Sequence, residues 1–342
     1  MTPHIKHSST LALFILLAVP FRIFAAKGPG DGDDDIKKQK LINKSYNVSA
    51  GDQLKIDNMF GNVVVSTWDK DQITVDIEIE AHASTEENAT ALLDQLNVKD
   101  EREGNTISFK TDAGHTHDHD SRDHDNNNGN DNKSKHKDKD DKHFNSGFHI
   151  DYVIHMPGSN RLYIKNQFGK IEVPDFKGPV SLFSMFGSLN TGKLDNVDII
   201  DVEFGKAYIT SINGGKLIFR YSEEAHVQKL SGSIKFSSEF SHNVQIGITN
   251  DIRDLSVSES YSDIRIIVDK SISTEFKIHT SFGSFHNDSG IEIKEEKEDD
   301  SGYGPHFDKD YSGSSGDGKG KIKIRSSFGN IYLSNHPGEK TI

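Results

Sequence analysis

The chain has 342 residues, 33% hydrophobic and 27% charged, with a formal net charge of −13 at pH 7. It has no cysteine. That excludes disulfides, thiolate zinc sites, iron–sulfur clusters, a cysteine nucleophile and a lipoprotein anchor. The acidic balance lacks the basic face of a nucleic-acid binder, so no nucleic-acid partner is expected.

Residues 1–26 read as a signal peptide. His4, Lys6 and His7 make a weakly basic start, 11–24 is an apolar run interrupted by Pro20 and Arg22, and Ala25 and Ala26 offer small residues for cleavage. The run is shorter than the roughly 20 apolar residues of a spanning helix. An exported protein is therefore expected, in the periplasm, on the outer-membrane surface or extracellular, with no transmembrane span after cleavage.

Residues 45–112 read as an N-terminal cap that includes a first repeat. Leu54 and Ile56 alternate before Phe60, and Val63 and Val65 alternate after Gly61. Residues 73–83 alternate as a strand. Residues 84–99 read as a helix, with Ser84 and Glu87 as a capping box and Ala89, Leu92, Leu93 and Leu96 as an apolar stripe. Two further strands, 105–111 and 149–156, are expected to pair as a hairpin that caps the repeats together with the helix. Between them lies a His/Asp-rich insert, 113–147, expected to be disordered. It interleaves His115, His117, His119 and His124 with carboxylates, a ligand set suited to Zn²⁺ or another divalent metal. The solvated-loop reading predicts the same residues, and no cofactor is otherwise expected.

The rest of the chain, 148–335, is a repeat. An aromatic followed by Gly or Ser recurs at Phe168, Phe186, Phe204, Tyr221, Phe240, Tyr261, Phe282 and Phe328, with Phe60 as the first instance. From Phe168 the spacings are 18, 18, 17, 19, 21, 21 and 46, and the last becomes 18 once the acidic, Gly-rich insert 294–321 is set aside as disordered loop. Apolar residues alternate on both flanks and switch parity at the aromatic–Gly pair, as where a chain bends and turns a new strand toward the same core. A period of roughly 18–21 residues fits one coil of a β-solenoid. Stacked coils should carry the nine aromatics as an internal ladder, buried like other core aromatics. The fold class expected is all-β: a right-handed β-solenoid with a small strand/helix N-terminal cap.

Four stretches carry a family likeness: NMFGNVVVSTWDKDQITVDIEIEA, TEENATALLDQLNV, FHIDYVIHMP and the run of FG-containing coils. Over about 45–335 the chain resembles the putative-adhesin family of exported bacterial β-strand-repeat proteins, a domain-of-unknown-function family common in Bacteroidetes-type bacteria. The resemblance implies an exported, right-handed, solenoid-like domain and supplies no catalytic residues. The two long polar inserts depart from the family pattern.

No nucleophile–base arrangement or phosphate loop stands out. Glu203, Glu223, Glu224, Glu239 and Glu259 lie beside the aromatics and could form a carboxylate stripe for acid/base work on a polysaccharide. A solvated strand face contains the same residues. The function expected is therefore non-enzymatic: an adhesin-like or structural binding module of the cell envelope, whose partner is an envelope protein or a glycan. The alternatives are a polysaccharide-processing β-helix enzyme and an envelope metal-binding protein working through the His-rich loop. Trp68, Tyr163 and Tyr208 are the aromatics left free for a ligand. The thinly covered C-terminal strand at 328–333 suggests end-to-end self-association.

Overall fold

The computed structural model describes residues 36–113, 147–296 and 307–336. The signal-peptide reading of 1–26 and the metal-ligand reading of His115, His117, His119 and His124 lie outside the described residues. Those residues form an all-β protein with an open sheet and one helix. No helix among them is long and apolar enough to cross a membrane.

The chain begins with β1 (Ile36–Asn47), β2 (Gln53–Met59), β3 (Val63–Trp68) and β4 (Gln72–Ala83). Then come α1 (Glu86–Gln95), β5 (Asn97–Glu103), β6 (Thr106–Asp112) and β7 (Gly147–Pro157). The repeats supply β8 (Arg161–Gln167), β9 (Lys170–Val173), β10 (Phe176–Met185), β11 (Ser188–Glu203) and β12 (Lys206–Arg220). They continue as β13 (Glu224–Glu239), β14 (Val244–Ser260), β15 (Ile264–Val268), β16 (Thr274–Ser281) and β17 (Ser284–Asp288). The last strands are β18 (Ile293–Glu295), β19 (Asp308–Ser315), β20 (Gly320–Ser327) and β21 (Asn330–Ser334).

Up to β15, each repeat strand lies parallel to its counterpart one repeat on, so equivalent residues meet in register. Before the corner, Ile56 faces Ile164, then Leu182, Ile200, Leu217 and Phe236. After it, Val63 faces Ile171, then Leu189, Ala207, Ala225 and Val244. All of these side chains are buried. Apolar residues repeated rung by rung on each wall are therefore the source of the core, each contributing roughly 1.5–3 kcal/mol when it is Val, Leu, Ile or Phe.

Between the two walls sits a corner that every repeat shares. All nine repeat aromatics have left-handed backbones, with φ between 50° and 62°, an outlier conformation for bulky L-residues. The hydrogen-bond ladder continues through the corner: Phe186 N–H donates to the Glu203 carbonyl at 3.0 Å and Phe204 N–H to the Arg220 carbonyl at 3.0 Å. At six corners the following residue is a glycine that passes very close to the neighbouring repeat, and at the other three it is a serine. A Cβ on Gly169 would lie 1.8 Å from the Gly61 carbonyl oxygen, and one on Gly187 would lie 1.8 Å from that of Gly169.

This corner overturns the expectation of an internal ladder. The parity switch lies where the alternation placed it, but the aromatics are outside, eight of them 43–55% exposed. The left-handed backbone breaks the strand alternation and swings the Cα–Cβ bond out. The inside of the corner is taken instead by the residue two positions earlier: Asn58, Asn166, Ser184, Ser238, Thr280 or Ser326 in six of the repeats. The asparagines among them satisfy corner backbone: Asn166 Nδ2 donates to the Gly61 carbonyl at 2.9 Å and Asn58 Nδ2 to the Ile150 carbonyl at 3.1 Å, while the Ser184 hydroxyl has no partner.

Other expectations also change. The helix is capped by Thr85, whose Oγ1 accepts from Asn88 N–H at 3.2 Å, so Ser84 is not the cap, and 97–103 is strand. β6 and β7 do not form a hairpin: β6 pairs with β2 and β5, and β7 with β3 and β4. β1, absent from the sequence reading, is an antiparallel edge strand along β4. Part of the acidic insert is ordered, because β19 pairs antiparallel with β16 and β18.

The largest topological correction concerns the C-terminus. β20 lies between β14 and β16, parallel to both, and β21 lies between β15 and β17. The C-terminal strands are therefore flanked on both sides, and the terminal strands at that end are β17, β18 and β19. The stated basis for end-to-end association, an uncovered strand at 328–333, is not present.

The steric argument at the corner is open to test. Gly187→Ala should destabilise the chain by more than about 3 kcal/mol, in the large tail of single substitutions. A melting curve close to that of the parent would mean that the coils are not this close.

Candidate functional site

Two surface features run across the repeats. The first is the ladder of aromatics at the corner. Phe60, Phe168, Phe186, Phe204, Tyr221, Phe240, Tyr261, Phe328 and Phe282 stack in that order, with centroids 4.7–5.3 Å apart and planes within 7° of parallel. Two aromatics outside the repeat motif finish it. Phe148 meets Phe60 edge-on at 5.1 Å, and Phe307 stacks on Phe282 at 4.8 Å. Both ring faces of every interior member are thus occupied, leaving only edges to solvent. The ladder stabilises the corners but offers no free face on which a ligand ring could stack.

The second feature lies four or five residues past each corner, on the outward face of the strands. Register places Glu172, Asn190, Tyr208, His226, Gln245 and Arg265 side by side. Beyond Arg265 come Tyr332 and His286, whose rings stack at 4.9 Å, while the Arg265 guanidinium lies 5.8 Å from the Tyr332 centroid. The part from Glu172 to Gln245 lines a shallow groove of about 690 Å³, with Gln228 also on its wall and the small residues Pro174 and Gly192 in its lining.

Tyr208 is the aromatic of this groove and is 41% exposed. Its hydroxyl donates to Glu224 Oε2 at 2.6 Å, and this hydrogen bond to a carboxylate is the main reason its pKa is raised. Glu224 Oε1 lies 3.2 Å from His226 Nε2. The Glu224 carboxylate thus lies beside both rings but is hydrogen-bonded to Tyr208 alone, and the rings sit 5.9 Å apart and tilted by 47°. The other two aromatics singled out in the sequence are held by neighbours. Trp68 donates to the Gln72 carbonyl at 2.7 Å and lies under the Lys70 ammonium, while Tyr163 packs on Phe183 at 5.2 Å.

The carboxylate stripe does not assemble as five neighbouring acids. Glu203 and Glu239 sit in register with Arg220 between them, and Arg220 Nη2 contacts Asp201 at 2.9 Å and Glu203 at 3.7 Å. Glu259 turns inward, at the corner position held elsewhere by Asn, Ser or Thr, and is 3% exposed. Its Oε1 accepts from Ser262 N–H at 2.6 Å and its Oε2 from the Ser326 hydroxyl. Burial raises its pKa, with the hydrogen bonds from Ser326 and Ser262 opposing the shift. Among the described residues no group of three or more His, Asp or Glu is placed to hold a metal ion.

No family model matches the chain, and no curated protein matches it. Solved structures described as adhesins are among those similar to it. A putative adhesin from Bacteroides fragilis is 12% identical, covering 86% of this chain and 97% of that one, with a TM-score of 0.35. A putative adhesin from Parabacteroides distasonis is 8% identical over 86% and 97%, with a TM-score of 0.34. A putative cell adhesion protein from Clostridium sporogenes is 13% identical over 87% and 99%, with a TM-score of 0.21. Likenesses of this size carry no argument about what the groove binds.

Two predictions follow from the corner. Phe204→Ala removes two ring contacts of about 0.5–1.5 kcal/mol each, less than the roughly 3–5 kcal/mol of a buried aromatic. Because position 204 has φ 52°, Phe204→Gly should be at least as stable as Phe204→Ala in denaturant melts, despite the freer unfolded chain. The second concerns Glu259. A carboxyl whose pKa is raised by folding adds stability below its unfolded value, near 4.5, and loses it as pH rises through the folded value. Glu259→Gln should therefore gain in stability relative to the parent as pH rises above that window, measured by urea melts at pH 4.5 and 7.5.

Proposed function

We propose that this chain is an exported, non-enzymatic, adhesin-like binding module of the cell envelope that holds a glycan along the groove around Tyr208. The one-repeat offset of the parallel strands supports reading the repeats as coils of a right-handed β-solenoid, a scaffold that presents one outward residue per coil along a line. The observation that carries the function is the chemistry of that line. Tyr208 offers a partly free ring, and Asn190, Gln228 and Gln245 offer amides that both donate and accept, beside the carboxylates of Glu172 and Glu224. Amides and carboxylates beside an aromatic ring suit a neutral, hydroxyl-rich ligand better than an acidic one, because the two glutamates repel anions. Binding to such a surface needs no catalytic group.

The reading is tested with purified mature protein on an array of neutral and acidic glycans. Retention is expected on neutral glycans, falling at least tenfold for Tyr208→Ala with melting unchanged. Equal retention by the variant, or binding to acidic glycans alone, removes the groove from the function. Protease treatment of intact cells, followed with an antibody against the C-terminal coils, tests the location. Cleavage in intact cells is expected for a surface adhesin; protection until the outer membrane is opened sinks that part of the reading.

A further inference from the structure

The C-terminal strands occupy a slot that the repeat does not require. Every earlier coil from Phe168 to Tyr261 stacks on its neighbour in sequence, and the coil of Phe282 follows Tyr261 at the same 21-residue spacing that separates Phe240 from Tyr261. Yet the Phe282 coil does not rest on the Tyr261 coil. β20 and β21 lie between them, hydrogen-bonded in parallel on both sides. Tyr261 N–H donates to the Ser327 carbonyl at 3.0 Å and Phe328 N–H to the Ser281 carbonyl at 2.9 Å.

Register makes the two possible neighbours of β14 interchangeable. Leu255 and Val257 face Ile322 and Ile324, which in turn face Phe276 and Ile278. Removing the middle strand would bring β16 onto β14 in the same phase, apolar on apolar. The corner fits as well. Gly329 passes 2.0 Å, by a notional Cβ, from the Ser262 carbonyl oxygen, and Gly283 carries the same absence of a side chain to the same place. Inside the corner, Ser326 now donates to Glu259. Thr280, the equivalent residue of the Phe282 coil, is buried against the Tyr311 side chain. Stacked directly, Thr280 would stand where Ser326 does and could donate to the same carboxylate.

We propose that the space between the Tyr261 and Phe282 coils is a strand-acceptor site for an extended, alternating apolar peptide, filled here by the chain's own residues 320–334. The strand pair leaves and returns, and the flanking coils close on each other while it is out. Charge favours the filled state: Lys321 lies between Asp254 and Glu275, which would face each other if the slot closed. The short link 316–319, with Gly316 and Gly318 at positive φ, joins the inserted strand to β19. The slot thus takes a strand by backbone pairing and by pockets for alternate side chains, the chemistry of β-augmentation.

The absence of cysteine makes the test direct. Ser256, Lys323 and Lys277 are exposed and lie side by side in that order. Ser256→Cys with Lys323→Cys joins neighbouring strands and should close readily in mild oxidant. Ser256→Cys with Lys277→Cys spans two strand spacings, about 10 Å, too far for a disulfide unless the slot closes. The second pair is expected to close too, more slowly by the fraction of time the slot is empty. Its closure should expose 320–334 to hydrogen exchange while 274–281 stay protected. A second pair that stays reduced while the first closes fully overturns the proposal. So does hydrogen exchange of the unmodified chain in which 274–281 and 320–327 open together, since the end would then be opening as one unit.

Discussion

The structure depends on the corner. A parallel stack keeps its backbone hydrogen bonds only if each coil turns at the same place and through the same angle as the coil below, at a spacing of roughly 4.8 Å. Glycine stands at the point of closest approach in six of the nine corners, where a Cβ at Gly187 would meet backbone at 1.8 Å, and buried serine stands there after Tyr221, Phe240 and Tyr261. The residue before it must take a left-handed conformation that costs an L-residue about 1–2 kcal/mol. Aromatic stacking above and below is the term of similar size that opposes this cost. Small polar residues inside the corner and aromatics outside it are two results of one geometric demand.

That demand explains what could be read from the residues alone. The period, the positions of the nine aromatics and the parity switch all follow from spacing and alternation. The side on which the rings fall does not, because the sign of φ at Phe186 or Phe204 leaves no trace in hydrophobic patterning. Leu162, Ile164 and Phe168 share one parity, and the rule that served for the first two fails at the third. β1 was hidden for another reason. Its lysines and asparagines show no alternation, and it is held as an edge strand by backbone pairing with β4 and by contacts such as Lys37 with Glu80. The place of β20 between β14 and β16 was illegible because two strands of equal phase compete for one position, and local sequence does not choose between them. In the groove, Tyr208 was identifiable as an unclaimed aromatic, whereas its neighbours Asn190, His226 and Gln245 became a group only once the register was known.

The two outward features divide the surface between them. At the corner, rings face rings and their apolar area is spent on the chain itself. One short strand further on, the same register lines up residues that differ from coil to coil, so chemistry varies along the groove while the backbone beneath it stays constant. Ring stacking and varied outward chemistry thus fall in different columns of one repeat. Changes at Asn190 or Gln228 leave the corner untouched, and changes at the corner move every column at once.

The ends are built differently from the middle. Toward the N-terminus, β5 pairs antiparallel with β6 and β1 with β4; toward the other end, β19 pairs antiparallel with β16 and β18. Coils between Phe168 and Tyr261 touch only the coils before and after them. Duplication or loss of one such unit would lengthen or shorten both apolar walls, the ring stack and the groove by one rung, while the closing strands at either end kept their partners. Repeat number is therefore the dimension along which this architecture can change without redesign, and with it the length of the groove.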